Sequence, residues 1–254
     1  MNVVSLVPSW TETLLGCGVQ VVGRTRYCVH PRDQISSIPV LGGTKRLDWS
    51  CWSDLKADLV VLDQDENTRE IAEQCPFPVF VSHVRGLQDI TADCERLGEK
   101  LNNGALRHLA QRWRTAACVK PSGVAHRPLA EVPAVKRWIR RPPRSARQLI
   151  YLIWRKPWMA AGVNSFIGSV LGQLGFAWAL SADTEPYPTI NLDHYDPQAT
   201  LLLLSSEPYP FEEHLDQVAS LPFPMALVDG EAYSWYGVRS LRFLEHQLWL
   251  AYRP

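Results

Sequence analysis

The sequence of 254 residues predicts an α/β protein with two similar lobes, each built on a parallel sheet, and a ligand cleft between the lobes. Residues 55–63 form a polar lead-in, a short apolar run and a polar stop, and residues 197–205 repeat this plan. A Pro-Phe-Pro sequence precedes another apolar run in both halves, at 76–78 and 222–224. Clefts between lobes are where small ligands bind. The repeat therefore indicates a protein that binds a small molecule.

The first half alternates predicted strands and helices, which is the pattern of a parallel sheet. The first strand is short, rich in valine and followed by Pro8, and Ser9 with Glu12 has the spacing of a capping box at the start of a helix. Short apolar runs between turn residues define the other elements. The predicted strands are 3–7, 19–25, 40–41, 58–62 and 79–81, and the predicted helices are 9–16, 49–56 and 67–74.

Between the halves, apolar residues recur every three to five positions, which predicts a connecting helix about 45 Å long. The sequence Asn102-Asn103-Gly104 interrupts this pattern. The segment that follows is rich in proline, lysine and arginine and is predicted to be a basic surface loop or insertion. The predicted domains are an N-terminal lobe (1–85), the connecting helix (86–118), the basic insertion (119–147) and a C-terminal lobe (148–254).

The second half repeats the alternation of strands and helices. Its predicted strands are 149–153, 201–204 and 225–228, and its predicted helices are 165–174, 211–220 and 239–251. The same β-α order in both halves supports two lobes of one architecture.

Composition excludes several classes of protein. Lys and Arg number 26, as do Asp and Glu, so a net charge of zero favours neither nucleic acid nor an anionic membrane as partner. No apolar run approaches the roughly 20 residues that cross a bilayer. The six cysteines stand singly in the first half without a C-x-x-C pair, which favours reduced thiols. We expect a monomer, cytoplasmic as the sequence is written because no secretory signal is recognisable, or periplasmic if a signal has been removed.

Aromatic side chains follow several predicted strands. In parallel α/β sheets, ligands bind at the carboxyl ends of strands, and aromatic rings offer large flat apolar faces there. Lys45 and Arg155 are the predicted polar anchors. Arg155 and Lys156 could meet a carboxylate or phosphate on the ligand, with solvated charges at a strand end as an equal alternative. Single aromatic residues can also simply pack under loops. The predicted ligand-binding aromatic residues are Trp10, Tyr27, Trp154, Trp158, Tyr233, Trp235 and Tyr236.

Three further residues near the predicted sheet edge are of types that bind transition metals. Cys28 and His30 follow one strand, and His83 lies on a neighbouring loop. Histidines at a surface without a metal are the simpler interpretation, so the metal ligands stay open. Glu66 and Glu207 occupy equivalent places in the two halves, too far apart to share a proton as a catalytic pair.

No sequence signal for catalysis is present. There is no G-x-S-x-G elbow, Walker loop or H-E-x-x-H sequence. The pair Gly16-x-Gly18 precedes a strand, whereas a dinucleotide-binding fingerprint follows its strand. We therefore expect a protein that is not an enzyme and requires no cofactor.

Several motifs together resemble one family. The openings Val4-Ser5-Leu6-Val7-Pro8-Ser9-Trp10-Thr11-Glu12 and Val22-Gly23-Arg24-Thr25-Arg26-Tyr27-Cys28 are similar to those of the helical-backbone (class III) substrate-binding proteins of ABC importers, in the vitamin B12 (cobalamin)-binding branch. The resemblance covers nearly the whole chain except 120–147. Further matching runs are 42–45, 55–60, 151–158 and 229–237.

The resemblance implies two Rossmann-like lobes joined by a long backbone helix. It implies a ligand such as cobalamin, haem or an iron–siderophore complex, held between the lobes, and an ABC permease as partner. Glu66 and Glu207 resemble the acidic residues, one per lobe, that dock on the permease. The leading hypothesis is a receptor for a corrinoid or similar metal chelate. The alternatives are a haem, siderophore or metal receptor, and a cytoplasmic relative that handles a cofactor or acts as an enzyme.

Overall fold

The computed structural model describes residues 1–119, 126–183 and 185–251. These residues form two compact units, each built around a five-stranded sheet. The N-terminal unit comprises Met1–Val84, Gln88–Thr115 and Trp235–Leu241, and the C-terminal unit comprises the other described residues. The predicted fold class, α/β with two similar sheets dominated by parallel strands, is confirmed.

The sheet of the N-terminal unit is entirely parallel, in the order β3-β2-β1-β4-β5. Its strands are β1 (Asn2–Ser5), β2 (Gln20–Thr25), β3 (Val40–Gly42), β4 (Leu59–Asp63) and β5 (Val79–Ser82). All five residues of β4 are buried, because helices cover both faces of a parallel sheet and leave its central strands without a solvent side. The predicted strands of the first half agree with these to within two residues at each end.

The helices of this unit are α1 (Pro8–Gly16), α2 (Arg32–Ile35), α3 (Arg69–Glu73), α4 (Leu87–Lys100) and α5 (Gly104–Cys118). The predicted cap at Ser9 is wrong, since α1 begins at Pro8, whose fixed φ suits a first helical position, and has no side-chain cap. The predicted helix over 49–56 is only the 3-10 turn Trp49–Trp52, where Asp48 accepts from the N–H of Ser50.

Two helices, α4 and α5, stand where the sequence predicts one connecting helix. Asn102 adopts a left-handed φ of 47°, which ends the first helix, and the Asn103 side chain accepts from the N–H of Leu106 at 2.9 Å to start the second. Residues 88–115 also belong to the N-terminal unit. The sequence Asn102-Asn103-Gly104 therefore divides the predicted connecting helix into two helices.

The sheet of the C-terminal unit has the order β6-β10-β9-β7-β8. Its strands are β6 (Val135–Arg140), β7 (Gln148–Trp154), β8 (Met159–Ala161), β9 (Thr200–Ser205) and β10 (Met225–Val228). The three central strands are parallel and agree with the prediction, whereas β6 and β8 pair antiparallel at the two edges and were not predicted. The sequence did not indicate these strands, because β8 has only three residues and β6 is rich in charged residues.

The basic segment over 119–147 is therefore not one loop. Residues 135–140 are a strand, and Leu129–Glu131 form a 3-10 turn before it. Composition alone obscured the strand, because Lys136, Arg137 and Arg140 occupy an edge where charged side chains are tolerated. Residues 120–125 of the segment lie outside the described residues.

The helices of the C-terminal unit are α6 (Phe166–Gln173) and α7 (Gly230–Ser234), and α8 (Val238–Ala251) runs from the N-terminal unit into this one. Ser165 caps α6 by accepting from the N–H of Gly168 at 3.0 Å. The predicted helix over 211–220 is a 3-10 segment, Phe211–Gln217, with non-helical angles at His214. All six cysteines are free thiols. No helix among the described residues is long and apolar enough to cross a membrane.

One buried carboxyl on α4 predicts a pH dependence of stability. Asp93 pairs with Arg96 at 2.7 Å, and the Arg96 guanidinium also lies over the Phe80 ring. Burial raises the Asp93 pKa from 3.8 to about 6, opposed by Arg96 and reinforced by Asp63 and Asp89. Because the folded protein holds this proton more tightly than the unfolded chain, the stabilisation is fully present below pH 3.8 and lost as the pH rises through about 6.

We expect the free energy of unfolding of the wild type to lose the Asp93 contribution as the pH rises from about 4 to 6, and that of Asp93→Asn not to show this loss. Urea unfolding of the wild type and the variant across this range measures the difference. Parallel pH profiles for the two proteins would contradict the assignment.

Candidate functional site

Each unit has a candidate ligand-binding surface at the carboxyl edge of its sheet, the place where open α/β sheets bind ligands. The strands of the N-terminal unit end at Ser5, Thr25, Gly42, Asp63 and Ser82. The parallel strands of the C-terminal unit end at Trp154, Ser205 and Val228. Every predicted site residue follows or terminates one of these strands, or lies in the segment after β10.

Trp10 belongs to a buried polar network of the N-terminal unit. Its indole N–H donates to the Ser82 hydroxyl at 2.9 Å, and that hydroxyl lies 2.7 Å from the Asp63 carboxylate, to which it donates. The Trp10 ring is fully buried, with edge contacts to Phe80 and Tyr236 at centroid distances of 6.5 and 5.9 Å. Burial, reinforced by the Asp63 charge, raises the pKa of the Tyr236 phenol. Both predicted aromatic residues thus contribute to the packing of the unit itself.

Hydrogen bonds fix the backbone of the turn after β4, which carries Glu66. The Asp63 carboxylate accepts from the N–H groups of Asp65 and Glu66 at 2.9 and 3.2 Å. Asn67 accepts from the N–H of Asp63 and donates to the carbonyl of Thr44. Glu66 keeps an exposed surface, yet partial desolvation at the sheet edge, and then the Asp63 charge, raise the pKa of its carboxyl. The fold therefore displays this acid rather than burying it.

Tyr27 and Lys45 lie on neighbouring loops at the same edge. Tyr27 is 54% exposed, and its ring lies beside Gly43. The Lys45 ammonium donates to the carbonyl of Asp65 at 2.7 Å, which ties the loop after β3 to the loop after β4. Tyr27 is thus an accessible aromatic surface, while Lys45 already has a structural partner.

Cys28, a predicted metal candidate, is a buried part of the core. Its sulfur lies 3.0 Å from the Thr11 hydroxyl and 3.2 Å from the Thr25 hydroxyl. Burial raises the pKa of the thiol, against these hydrogen bonds, and so favours the protonated form. A metal ligand needs the thiolate, which this environment disfavours.

The two candidate histidines contact different partners. The His30 ring packs edge-on against Trp235 at 5.2 Å, and the Nε2 atom of His83 lies 3.8 Å from an Asp65 carboxylate oxygen. Over residues 1–119, 126–183 and 185–251, no three His, Cys, Asp or Glu side chains cluster as metal ligands would. These residues do not form a metal centre with one another.

A segment near the end of the chain, Trp235–Leu241, packs on α1 within the N-terminal unit. Arg239 makes a bidentate ion pair with Glu12 at 2.7 and 2.8 Å, and its guanidinium lies over the Trp235 ring. Thr13 accepts from the N–H of Val238 at 3.1 Å. This packing holds the predicted site residue Trp235 in place and leaves it 8% exposed.

In the C-terminal unit, Tyr233 is a core residue. It is fully buried, its hydroxyl donates to the carbonyl of Pro133 at 2.6 Å, and its ring packs against Tyr151 and Phe243. Burial raises the pKa of both tyrosines. The Tyr151 hydroxyl lies 3.0 Å from that of Ser205 at the end of β9. Tyr233 thus stabilises the region next to Glu207.

Glu207 follows β9 much as Glu66 follows β4, but it is more restrained. Its carboxylate accepts from the Ser234 hydroxyl at 2.9 Å. Gly230 allows close approach, since a Cβ there would lie 2.6 Å from the Ser205 hydroxyl and 2.7 Å from the Glu207 side chain. The half-buried Glu207 therefore has a defined orientation at this edge.

Trp154, at the end of β7, is the exposed aromatic residue of the C-terminal edge. It is 41% exposed and packs edge-on against Tyr209 at 5.3 Å. Tyr209 in turn contacts Phe211 at 4.7 Å and His214 at 5.1 Å. The result is an aromatic platform with one ring open to solvent.

Arg155 and Trp158 extend this platform. Trp158 stacks on Phe211 with an interplanar angle of 4°, and the Arg155 guanidinium lies 5.9 Å from the Trp158 ring centroid. Arg155 donates to the side chain of Gln217 through one terminal nitrogen, while its buried Nε has no hydrogen-bond partner among the described residues. The guanidinium is therefore held against the platform by Trp158 and Gln217.

The structure thus separates the predicted aromatic residues into buried and accessible groups. The buried group is Trp10, Tyr233, Trp235 and Tyr236, and the accessible or half-buried group is Tyr27, Trp154 and Trp158. The buried partners Ser82 and Asp63 and the platform residues Tyr209 and His214 were not predicted. Tyr209 could have been found, because it lies five residues after the predicted strand 201–204.

Comparison with known proteins supports the fold. No family model matches the chain, and no curated protein matches it. The periplasmic vitamin B12 binding protein BtuF of Vibrio cholerae has a similar structure, with a TM-score of 0.67 and 16% identity over 100% of this chain and 98% of that chain. S. aureus IsdE, complexed with heme, has a TM-score of 0.73 and 15% identity over 99% of both chains.

An ABC transporter substrate-binding protein from Listeria monocytogenes is also similar, with a TM-score of 0.73 and 12% identity over 99% of this chain and 98% of that chain. The chain therefore shares the fold of these binding proteins over essentially its full length. The fold expected from the sequence resemblance is confirmed.

Proposed function

We propose that this protein is a non-enzymatic binding protein for a metal-chelate ligand of the corrinoid or haem class. The observation that carries the proposal is the full-length match to proteins named for binding vitamin B12 or heme. The match covers 98% or more of both chains in each of two such comparisons.

The accessible aromatic residues support a large planar ligand. Tyr27 in the N-terminal unit and Trp154 in the C-terminal unit each follow or end a strand and expose about half of their surface. A macrocycle has wide apolar faces that gain by contact with such rings. Arg155 offers a cation for a carboxylate or amide oxygen at the rim of the ligand. We assign direct contact to Tyr27, Trp154, Trp158 and Arg155, and a supporting role to the buried aromatic residues.

A haem or ferric ligand would require a different role for Tyr27. Its exposed phenol is the accessible oxygen among the candidate ligands, whereas the Cys28 thiol is buried and hydrogen-bonded. Direct ligation would show as a shift of the haemin Soret band that Tyr27→Phe abolishes. A corrinoid that only contacts the Tyr27 ring, without a bond to its oxygen, would bind the wild type and Tyr27→Phe with equal affinity.

Equilibrium binding to cyanocobalamin, haemin and a ferric hydroxamate tests the proposal. We expect saturable binding of one ligand and a loss of about tenfold in affinity for Trp154→Ala, since buried aromatic contacts typically contribute 1–2 kcal/mol or more, about tenfold per 1.4 kcal/mol. Tryptophan quenching and ligand absorbance provide the measurement.

Trp249→Ala is the matched control, because Trp249 is 53% exposed on α8 and follows no strand. Its affinity should equal that of the wild type. Absence of binding to all three ligands would refute the proposed function. Equal losses in both variants would remove Trp154 from the site.

We also propose delivery of the ligand to an ABC permease through Glu66 and Glu207. Their placement supports this, since each follows an interior strand, β4 or β9, at the carboxyl edge of its sheet. Vitamin B12 and haem binders with this fold are named periplasmic, which supports the same compartment here. A cytoplasmic relative that handles a cofactor remains the alternative if no permease binds.

A further inference from the structure

Strand β6 has an open edge. It is the outermost strand of the C-terminal sheet, and in the described part of the chain only β10 pairs with it. An edge strand directs half of its backbone N–H and C=O groups away from the sheet, where an extended polypeptide can pair with them. The proposed contacts with a metal chelate do not involve this edge.

The charge along this edge has one sign. Residues 126–147 contain seven lysine and arginine residues but a single acid, Glu131. Four of the cations serve the fold. Arg127 pairs with Glu131 at 3.6 Å, and Lys136 pairs with Glu212 at 2.9 Å. Arg140 donates to backbone carbonyls of residues 219–223, and Arg147 donates to those of residues 144 and 146.

Three arginines remain available. Arg137, Arg141 and Arg144 are exposed, and none of them forms an ion pair with a carboxylate of residues 1–119, 126–183 or 185–251. The Arg141 guanidinium lies 5.2 Å from the Trp138 ring, which holds it beside the strand. Arg137 lies within β6, and Arg141 and Arg144 follow its end. Unpaired cations in and beside an edge strand complement carboxylates on a partner strand.

We propose that β6, with Arg137, Arg141 and Arg144, is a docking edge for an extended acidic segment of a partner protein. Backbone pairing would supply the register, and the arginines would select for acidic side chains. Pairing of β6 with a second copy of this chain would place like charges opposite one another, which is destabilising. Charges that only guard an edge against aggregation do not require a single sign.

A labelled decapeptide of alternating glutamate and valine tests the proposal on the full chain. We expect saturable binding by fluorescence anisotropy and slower amide exchange of residues 135–140 in its presence. The triple variant R137E/R141E/R144E should lose at least about tenfold in affinity for the peptide. The control R32E/K56E/K100E makes the same change of net charge at exposed positions elsewhere and should retain wild-type affinity.

A peptide N-methylated at alternate residues keeps its charge but cannot pair along one edge. Equal binding of this peptide, or binding without protection of 135–140, would overturn strand pairing. Binding to phosphatidylglycerol vesicles but not to the peptide would overturn the choice of partner. A dimer detected by light scattering, with β6 amides protected in the absence of peptide, would show that a second copy occupies the edge and would also overturn the proposal.

Discussion

Replacing Gly237 with alanine is expected to lower the free energy of unfolding of the N-terminal unit by about 2–5 kcal/mol. Gly237 has a φ of 95°, a conformation that side chains rarely adopt. A Cβ at this position would lie 2.0 Å from the Thr13 hydroxyl. That hydroxyl is fixed, since it donates to the carbonyl of Ser9 and accepts from the N–H of Val238. Strain and a steric clash therefore act together.

The measurement is urea unfolding followed by circular dichroism. Gly172→Ala is the control, because Gly172 lies within α6 and an added Cβ there meets nothing within 4 Å. Relief of glycine's helix penalty should stabilise that variant by about 0.5–1 kcal/mol. Equal unfolding midpoints for the wild type and Gly237→Ala would show that the packing of Trp235–Leu241 on α1 adjusts without cost.

Replacing Trp10 with alanine is expected to cost about 3–5 kcal/mol of stability, the range for large buried aromatic residues. The change removes a fully buried ring that contacts Phe80 and Tyr236. It also removes the donor to Ser82, leaving a buried hydroxyl with one partner fewer. Thermal and urea unfolding measure the loss.

Trp249→Ala again provides the comparison, since removing a half-exposed ring should change stability by no more than about 0.5 kcal/mol. If Trp10→Ala unfolds at the wild-type midpoint but binds ligand more weakly, Trp10 is a ligand contact, as the sequence predicts, and not a core residue. The two variants therefore distinguish packing from binding.

The parallel core of both sheets could be predicted from the sequence because its strands are continuous apolar runs. The interior strands β4 and β9 are buried at every position, and their only polar residues, Asp63, Thr200 and Ser205, stand at the strand ends. The edge strands lack this signal. In β6, charged side chains dominate the pattern, and β8 is only three residues long.

The site could be predicted only in part, since position after a strand does not determine burial. Trp10 and Tyr27 both follow strands of the same sheet, yet Trp10 is fully buried and Tyr27 is 54% exposed. The difference depends on distant residues, since Ser82 and Tyr236 surround Trp10. Contacts across such sequence separations leave no local pattern.

The packing of Trp235–Leu241 on α1 also affects the order of events during synthesis. Residues 1–84 emerge from the ribosome long before this segment, which completes the N-terminal unit through the Arg239–Glu12 ion pair and the Val238–Thr13 hydrogen bond. Contacts at such large sequence separation form late and slow folding. The N-terminal unit therefore reaches its final packing only after nearly the whole C-terminal unit has been translated.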